Sequence, residues 1–363
     1  MKREYKNRVY RTTVLKLKNP MKKVIISVWA IAAVCFQSFG QTDTLQKAHI
    51  GFIYPISSNG SNAPKISNDF SLHLLSGISK NENVLSIAGI SNHIKQDARG
   101  IQVAGLINQV GNSAHGVQVA GLGNFIKKET KGVQIAGLTN TSGDAEIQIS
   151  GLINIADDVY GLQIGGLINK AGNVEGTQVA GLINRARNVK GVQVAGLINL
   201  AESSDYPVGI INIIKNGKQA VGLSYDETGT GMITYRSGGR VLYGLIGLGY
   251  NLSSKRSKDF YGFQAGIGAH IVKSEHFLLN AEAFSQSLTD FNDFSYSKHG
   301  IRLLPTLRIA KRVEIFAGPT FNVTQFNNEA YASLYSSYFW TREKRNCFTG
   351  MSVGYTGGIQ ISL

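Results

Sequence analysis

Cysteine is nearly absent from this 363-residue chain, with Cys35 and Cys347 the only two. Cys35 lies in an amino-terminal segment expected to be removed, which leaves Cys347 alone and excludes an intrachain disulfide. Charge is also scarce where it would be informative, because the phrase that recurs through the middle of the chain carries none except Glu146. Aromatics are thin there too: residues 100–200 hold only Phe125 and Tyr160. The apolar stretch Val24–Phe36, about 13 residues, is too short to cross a bilayer comfortably as a helix, which takes about 20. There is no His-Glu-x-x-His, no Gly-x-x-x-x-Gly-Lys-Ser/Thr and no cysteine pair, so no metal or phosphate motif and no cofactor is expected. Gly244-Leu-Ile-Gly247-Leu-Gly249 lacks the order of a dinucleotide loop and falls inside a strand pattern, where it marks tight packing or curvature.

What is present begins with an address. Residues 1–20 read as an upstream extension, and residues 21–40 as a secretory signal: Met21-Lys-Lys, the apolar stretch, then Ser38 and Gly40 before Gln41. Val34 before Cys35 argues against lipid attachment at that cysteine. Net charge is +14, but residues 1–40 carry nine Lys/Arg against Glu4, and removing that +8 leaves +6. The remainder is scattered over turns without aromatic interleaving, so nucleic acid is not expected as a partner.

Between Arg99 and Asn212 one phrase recurs, from Gly100-Ile-Gln-Val-Ala-Gly-Leu-Ile-Asn108 to Gly191-Val-Gln-Val-Ala-Gly-Leu-Ile-Asn199. The closing Asn steps by 16, 16, 14, 15, 15 and 15 residues, and degenerate copies before and after bring the total to nine. Period-two alternation makes each phrase a strand, with Val192, Val194 and Ile198 on one side and Gln193, Ala195 and Leu197 on the other. The charged intervals are turns. In a β-solenoid or β-roll each repeat is one coil. In the alternative, a single larger antiparallel barrel, each repeat is one strand. In-register stacking rewards the same residue in every copy, whereas antiparallel neighbours meet reversed, so the solenoid is favoured. A lone coil cannot offset the ordering of its backbone, and stacking seals its apolar side chains. The Gly of Ala-Gly-Leu suits a bend or close backbone approach, and the Asn suits a turn. Residues 41–83 would cap the stack and residues 84–217 form the repeats.

Residues 218–363 change character: aromatics become frequent and alternation sharpens. Tyr261, Phe263, Ala265, Ile267, Ala269 and Ile271 oppose Gly262, Gln264, Gly266, Gly268 and His270. The last strand sets Met351, Val353, Tyr355, Ile359 and Ile361 against Ser352, Thr356 and Gln360. Eight strands follow, near 219–226, 231–237, 240–252, 259–272, 275–286, 299–310, 312–324 and 348–363. Tight turns alternate with long connections at 253–258, 287–298 and 325–347, the pattern of an outer-membrane barrel. A soluble antiparallel sandwich or lipocalin-like barrel is the other reading of these strands.

Gly358-Ile-Gln-Ile-Ser-Leu363 resembles the terminal signal of outer-membrane barrels, though Leu363 replaces the usual aromatic. Over residues 84–212 the repeats resemble a bacterial surface-repeat family with Gly-Leu-Gln-Ile-Gly-Leu-Ile-Asn-type units, found in spirochaete surface lipoproteins and Bacteroidetes envelope proteins. That resemblance implies an envelope location and carries no chemistry. A looser likeness, to the β-roll heads of trimeric autotransporters, rests on period and Gly/Ala richness.

The expectation is an all-β, exported protein of the outer membrane or cell surface, a non-catalytic structural or adhesive scaffold. A small channel or transport-related barrel is the alternative. A barrel hydrolase would need His270, His276 or His299 beside a Ser or Asp such as Asp290, Asp293, Ser295 or Ser297. The long connection near the carboxy terminus carries Tyr331, Tyr335, Tyr338, Phe339 and Trp340, then Arg342, Lys344 and Arg345. Aromatics with arginine suit an extracellular or envelope macromolecule as partner. An interfacial girdle against outer-membrane lipid is the plainer reading of the same residues.

Overall fold

The computed structural model describes residues 46–363 apart from 254–258, 293–295, 328 and 345–346. The expected signal segment, Cys35, Asp293, Ser295 and Arg345 therefore lie outside the described residues. The fold is all-β, a parallel β-solenoid over residues 67–214 followed by a closed antiparallel barrel over residues 218–362.

From Asn81 onward each solenoid coil is one longer and one shorter strand, such as Asn173–Ala180 with Ile183–Arg185. Equivalent residues pair in parallel register, Gln178 with Gln193 and Asn184 with Asn199. The repeats are therefore coils, not antiparallel barrel strands. The ladder begins before the recognisable phrase, because Ser67–Ser79 already pairs in parallel with Asn81–Ala88 and Ser91–Ile94. Gln46–Ile53 lies in parallel on that first strand.

The interior differs from expectation. Gln193, Ala195 and Asn199 point inward, while Val192, Val194 and Ile198 are only half-buried and Leu197 is 45% exposed. Alternation places Leu197 inward, but the chain turns a corner at Gly196 and the phase restarts. A Cβ on Gly196 would meet the Gly181 carbonyl at 2.2 Å, so this corner column packs backbone on backbone. Gly191, at φ +142°, makes the same close approach at the start of the phrase.

The repeated Asn is not a turn residue. Asn92, Asn108, Asn124, Asn140, Asn154, Asn169, Asn184, Asn199 and Asn212 form one continuous ladder, each Nδ2 donating to the next Oδ1 at 2.8–3.0 Å. From Asn92 to Asn199 each Nδ2 also reaches a backbone carbonyl of the following coil, as in Asn169 to Val179 at 2.7 Å. The glutamines make a second ladder that donates the opposite way, Gln193 to Gln178 and Gln178 to Gln163 at 2.8–2.9 Å. Its rung between Gln118 and Gln134 is open, and the Gln118 Oε1 and Gln134 Nε2 atoms have no partner among the described residues. Burying a primary amide is costly without a partner, and in-register stacking supplies one at nearly every rung. Beside the amides runs a narrow apolar strip of Val159, Val174, Val189, Ala156, Ala171 and Ala186.

The barrel strands are Lys218–Asp226, Thr230–Gly238, Leu242–Asn251, Tyr261–Lys273, Phe277–Thr289, Tyr296–Arg308, Val313–Phe326 and Cys347–Ser362. Closure comes from Lys218–Asp226 pairing with Cys347–Ser362, Val221 opposite Ile361. Alternation is as read from sequence: Phe263, Ile267, Val353 and Tyr355 face outward, Gln264, Ser352, Thr356 and Gln360 inward.

The last coil of the solenoid packs on the outer wall of this barrel. Asn212, the end of the amide ladder, donates its backbone N–H to Ser237 Oγ at 3.0 Å and its Nδ2 to the Ser237 carbonyl at 3.2 Å. Gly244, paired across from Ser237, leaves room for the backbone of Gly209 and Ile210. Lower on the wall, the Val241 N–H donates to the Asp205 carbonyl and Arg240 pairs with the Asp205 carboxylate at 2.7 Å.

Candidate functional site: the barrel interior and its capping loop

An eight-stranded barrel is just wide enough for side chains to fill, and this one is filled in layers. At mid-height Glu282 accepts from Arg236 Nε at 2.8 Å, Arg302 Nε at 2.6 Å and Tyr243 Oη at 2.8 Å. Arg302 also donates to Gln264 Oε1 at 3.2 Å and its guanidinium lies 4.6 Å from the Phe284 ring centre. Toward the long-connection end, Lys298 Nζ sits 2.6 Å from Asp226 and 3.2 Å from Glu227, with Asn322 donating to Glu227. Toward the short-turn end, Glu314 receives Lys218, Gln360 and Arg308. Removing one partner of such a pair strands the other charge in a buried site.

Above the Lys298 layer the lumen is corked by Phe260, Leu288, Tyr296, Phe326, Tyr331 and Leu334. The last two come from the connection after Val313–Phe326, which folds into a short 3-10 turn, Glu329–Leu334, and then a strand, Trp340–Lys344, hairpinned onto Cys347–Ser362. The structure thus divides this connection. Tyr331 is inside the barrel. Tyr335 donates to the Val353 carbonyl at 3.1 Å, and Tyr338 is half-buried against Phe348. Phe339, 61% exposed, packs on Phe321 of the outer wall. Trp340, Arg342 and Lys344 alternate along the exposed hairpin, Trp340 opposite outward-facing Met351.

The three barrel histidines are not brought together. His270 is lumenal, its Nδ1 2.6 Å from Asn280 Oδ1 and its ring against Tyr243. His276 is exposed in a short turn, and His299 projects from the outer wall. No group of three His, Cys, Asp or Glu among the described residues could hold a metal.

A second polar cluster, missed from sequence, lies under the first coil. His49 and His73 meet edge to face at 4.4 Å, and His49 Nε2 shares a hydrogen bond with Ser57 Oγ at 2.9 Å. Glu82 accepts from Ser71 at 2.7 Å and Asn68 at 3.2 Å. Burial pushes the Glu82 carboxyl up to about 7 against those hydrogen bonds. Burial lowers both imidazoles to about 4, helped at His73 by the neighbouring His49.

The lumenal network was also missed. Its only sequence signal is a charged residue at an inward position of an otherwise apolar-alternating strand, as at Arg236, Glu282, Lys298, Arg302 and Glu314. Comparison with protein-family models, with curated proteins and with solved structures returns no match.

Proposed function

We propose that this protein is a non-catalytic scaffold of the bacterial outer membrane, a filled barrel that anchors a β-solenoid. The observation that carries this reading is the contrast between the two sides of one wall. Outward residues such as Leu248, Ile267, Ile301 and Val353 are 51–63% exposed, while the lumen holds buried ion pairs under an aromatic cork. An apolar outer wall suits lipid. A lumen filled by side chains among the described residues weighs against the channel reading.

Topology supports a sidedness. Both ends of the barrel chain, Lys218 and Ser362, lie with the short turns 239–241, 274–276 and 309–312, and the solenoid joins there. Short turns face the periplasm and long loops the exterior in barrels of this class. On that rule the solenoid is periplasmic and the Trp340–Lys344 hairpin faces outward, where Trp340, Arg342 and Lys344 meet anionic headgroups or an external macromolecule. The likeness to envelope surface repeats supports an envelope location. The in-register amide ladder is a physical reason for such a unit to recur.

The test is refolding of the full chain into detergent and then into a planar lipid bilayer. A heat-modifiable band with no conductance steps is expected. Discrete conductance from the folded species would overturn the scaffold reading in favour of a pore.

A further inference from the structure

The solenoid carries one edge unlike the others. From Ile90 through Leu106, Leu152 and Leu197 to Ile210, the residue after each corner glycine points outward, every one between 38% and 45% exposed. These nine positions stack at about 4.8 Å per coil and make an unbroken apolar edge about 38 Å long. The half-buried Val and Ile of the long strands flank it. Its exposed area is on the order of 600 Å², at the upper end for a soluble monomer. The charges lie away from it, in a trench lined by Asp157, Asp158, Lys170, Arg185 and Arg187 and in a row at the start of the long strands that includes Lys131, Glu175 and Lys190.

How the last coil meets the barrel fixes which edge points where. Gly217, just past the trench residue Lys215, lies against Gly238, and Asp205, in the row of Lys190 and Glu175, lies against Arg240 and Val241 in a short turn at the same end of the wall. Further along the same coil, Gly209 and Ile210 lie against Gly244, higher on the outer wall. The next outward residues up that wall are Tyr235 opposite Ile246, then Ile233 opposite Leu248, exposed or half-exposed and apolar but for the Tyr235 hydroxyl. Because the coil stacks on the wall at Ser237 and Gly244, earlier coils step away from the barrel sideways, each keeping its Leu edge toward the apolar belt and its charged edge toward the short turns.

We infer that the Leu edge of the solenoid is seated in the acyl layer of the adjoining phospholipid leaflet, so that the repeats lie along the membrane and widen the footprint of the barrel. This rests on the proposed anchoring of the barrel in lipid. Continuity with the barrel belt and the segregation of charge to the far edge select a leaflet over a second copy of the chain. An apolar face with a charged opposite face is also the design by which interfacial elements sit several Å into a leaflet.

The experiment uses the full chain with Cys347→Ser and one new cysteine carrying an environment-sensitive fluorophore: Leu167→Cys or Leu182→Cys on the edge, Lys170→Cys on the charged side, and Leu248→Cys on the barrel belt. Each is reconstituted into phosphatidylethanolamine–phosphatidylglycerol vesicles with and without brominated acyl chains. The two edge labels are expected to be quenched by brominated lipid to the same extent as Leu248→Cys, and Lys170→Cys to be unaffected. Quenching at Leu248→Cys but not at the edge overturns the inference alone. An edge label shielded from water, unquenched and released on dilution into excess lipid identifies a second copy as the occupant and also overturns it. Absence of quenching at Leu248→Cys removes the anchoring reading itself.

Discussion

Asn169 sits at the middle of the amide ladder, fully buried, and its side chain has a definable job. Its Nδ2 faces three acceptors, Val179 O at 2.7 Å, Asn184 Oδ1 at 3.0 Å and Gln163 O at 3.2 Å, while its Oδ1 receives Asn154. Asn169→Ala removes these bonds and orphans the Asn184 oxygen, whereas Asn154 keeps its bond to the Ile164 carbonyl. One stranded buried acceptor and the lost bonds cost about 2–4 kcal/mol together. Local opening of the coils over residues 158–201 should then become roughly 30- to 1000-fold easier, at about 1.4 kcal/mol per decade. Hydrogen–deuterium exchange of peptides from that region in the refolded full chain reads this directly. Lys170→Ala, exposed on the adjacent residue, is the control and should stay within about 0.5 kcal/mol of wild type. Asn169→Asp sharpens the test, because it points a carboxylate oxygen at three acceptors and fits only when protonated. Its folded pKa is raised, so its penalty grows as pH climbs above about 3.9, the unfolded value. Exchange in Asn169→Ala matching that in Lys170→Ala, or an Asn169→Asp variant more stable at pH 7 than at pH 4, would refute the ladder as a stabilising element.

Other consequences follow from the same geometry. Glu282→Ala leaves Arg236 and Arg302 facing each other without their carboxylate, and should destabilise the barrel by about 3–5 kcal/mol in urea-induced loss of the heat-modifiable band. Replacing all three residues by apolar ones of similar volume should recover most of that loss. The cap beneath the first coil should be most stable near pH 6.5. The raised Glu82 pKa removes stability as pH rises toward about 7, and the lowered His49 and His73 values remove it as pH falls from 6.5 toward about 4. With two imidazoles against one carboxyl between pH 4.5 and 6.5, the acid side wins. Glu82→Gln should abolish the alkaline fall and steepen the acid one, measured by exchange in residues 67–94. Deleting Gly176–Lys190 should preserve folding and the heat-modifiable barrel, because Gly191 then follows Glu175 as Gly176 did and Asn169 meets Asn199. Deleting only Gly176–Ile183 should not.

The period of 14–16 residues was enough to read a parallel stack, since identical residues at identical places are useful only when they meet one another. The alternation from Lys218 onward was enough to read eight barrel strands. Which solenoid face points inward was not legible. Alternation is symmetric between faces, and Val and Leu look like core until the amides are given in-register partners. Leu197 was misplaced for a further reason, because the corner at Gly196 restarts the phase within the phrase. The Arg236–Glu282–Arg302 cluster escaped because its members come from three strands and are 46 and 20 residues apart, with no local pattern to join them. Tyr331 read as part of an exposed aromatic run, since nothing in its spacing says that the chain folds back into the barrel mouth.

Sidedness is the most direct test of an anchored barrel with its solenoid on the periplasmic side. In cells producing the Cys347→Ser protein, cysteines at Ser336 in the capping connection and at Lys190 on the solenoid can be offered a membrane-impermeant maleimide before and after the outer membrane is permeabilised. The account predicts labelling of Ser336→Cys on intact cells and of Lys190→Cys only after permeabilisation. Labelling of Lys190→Cys on intact cells, or protection of Ser336→Cys until lysis, would contradict it.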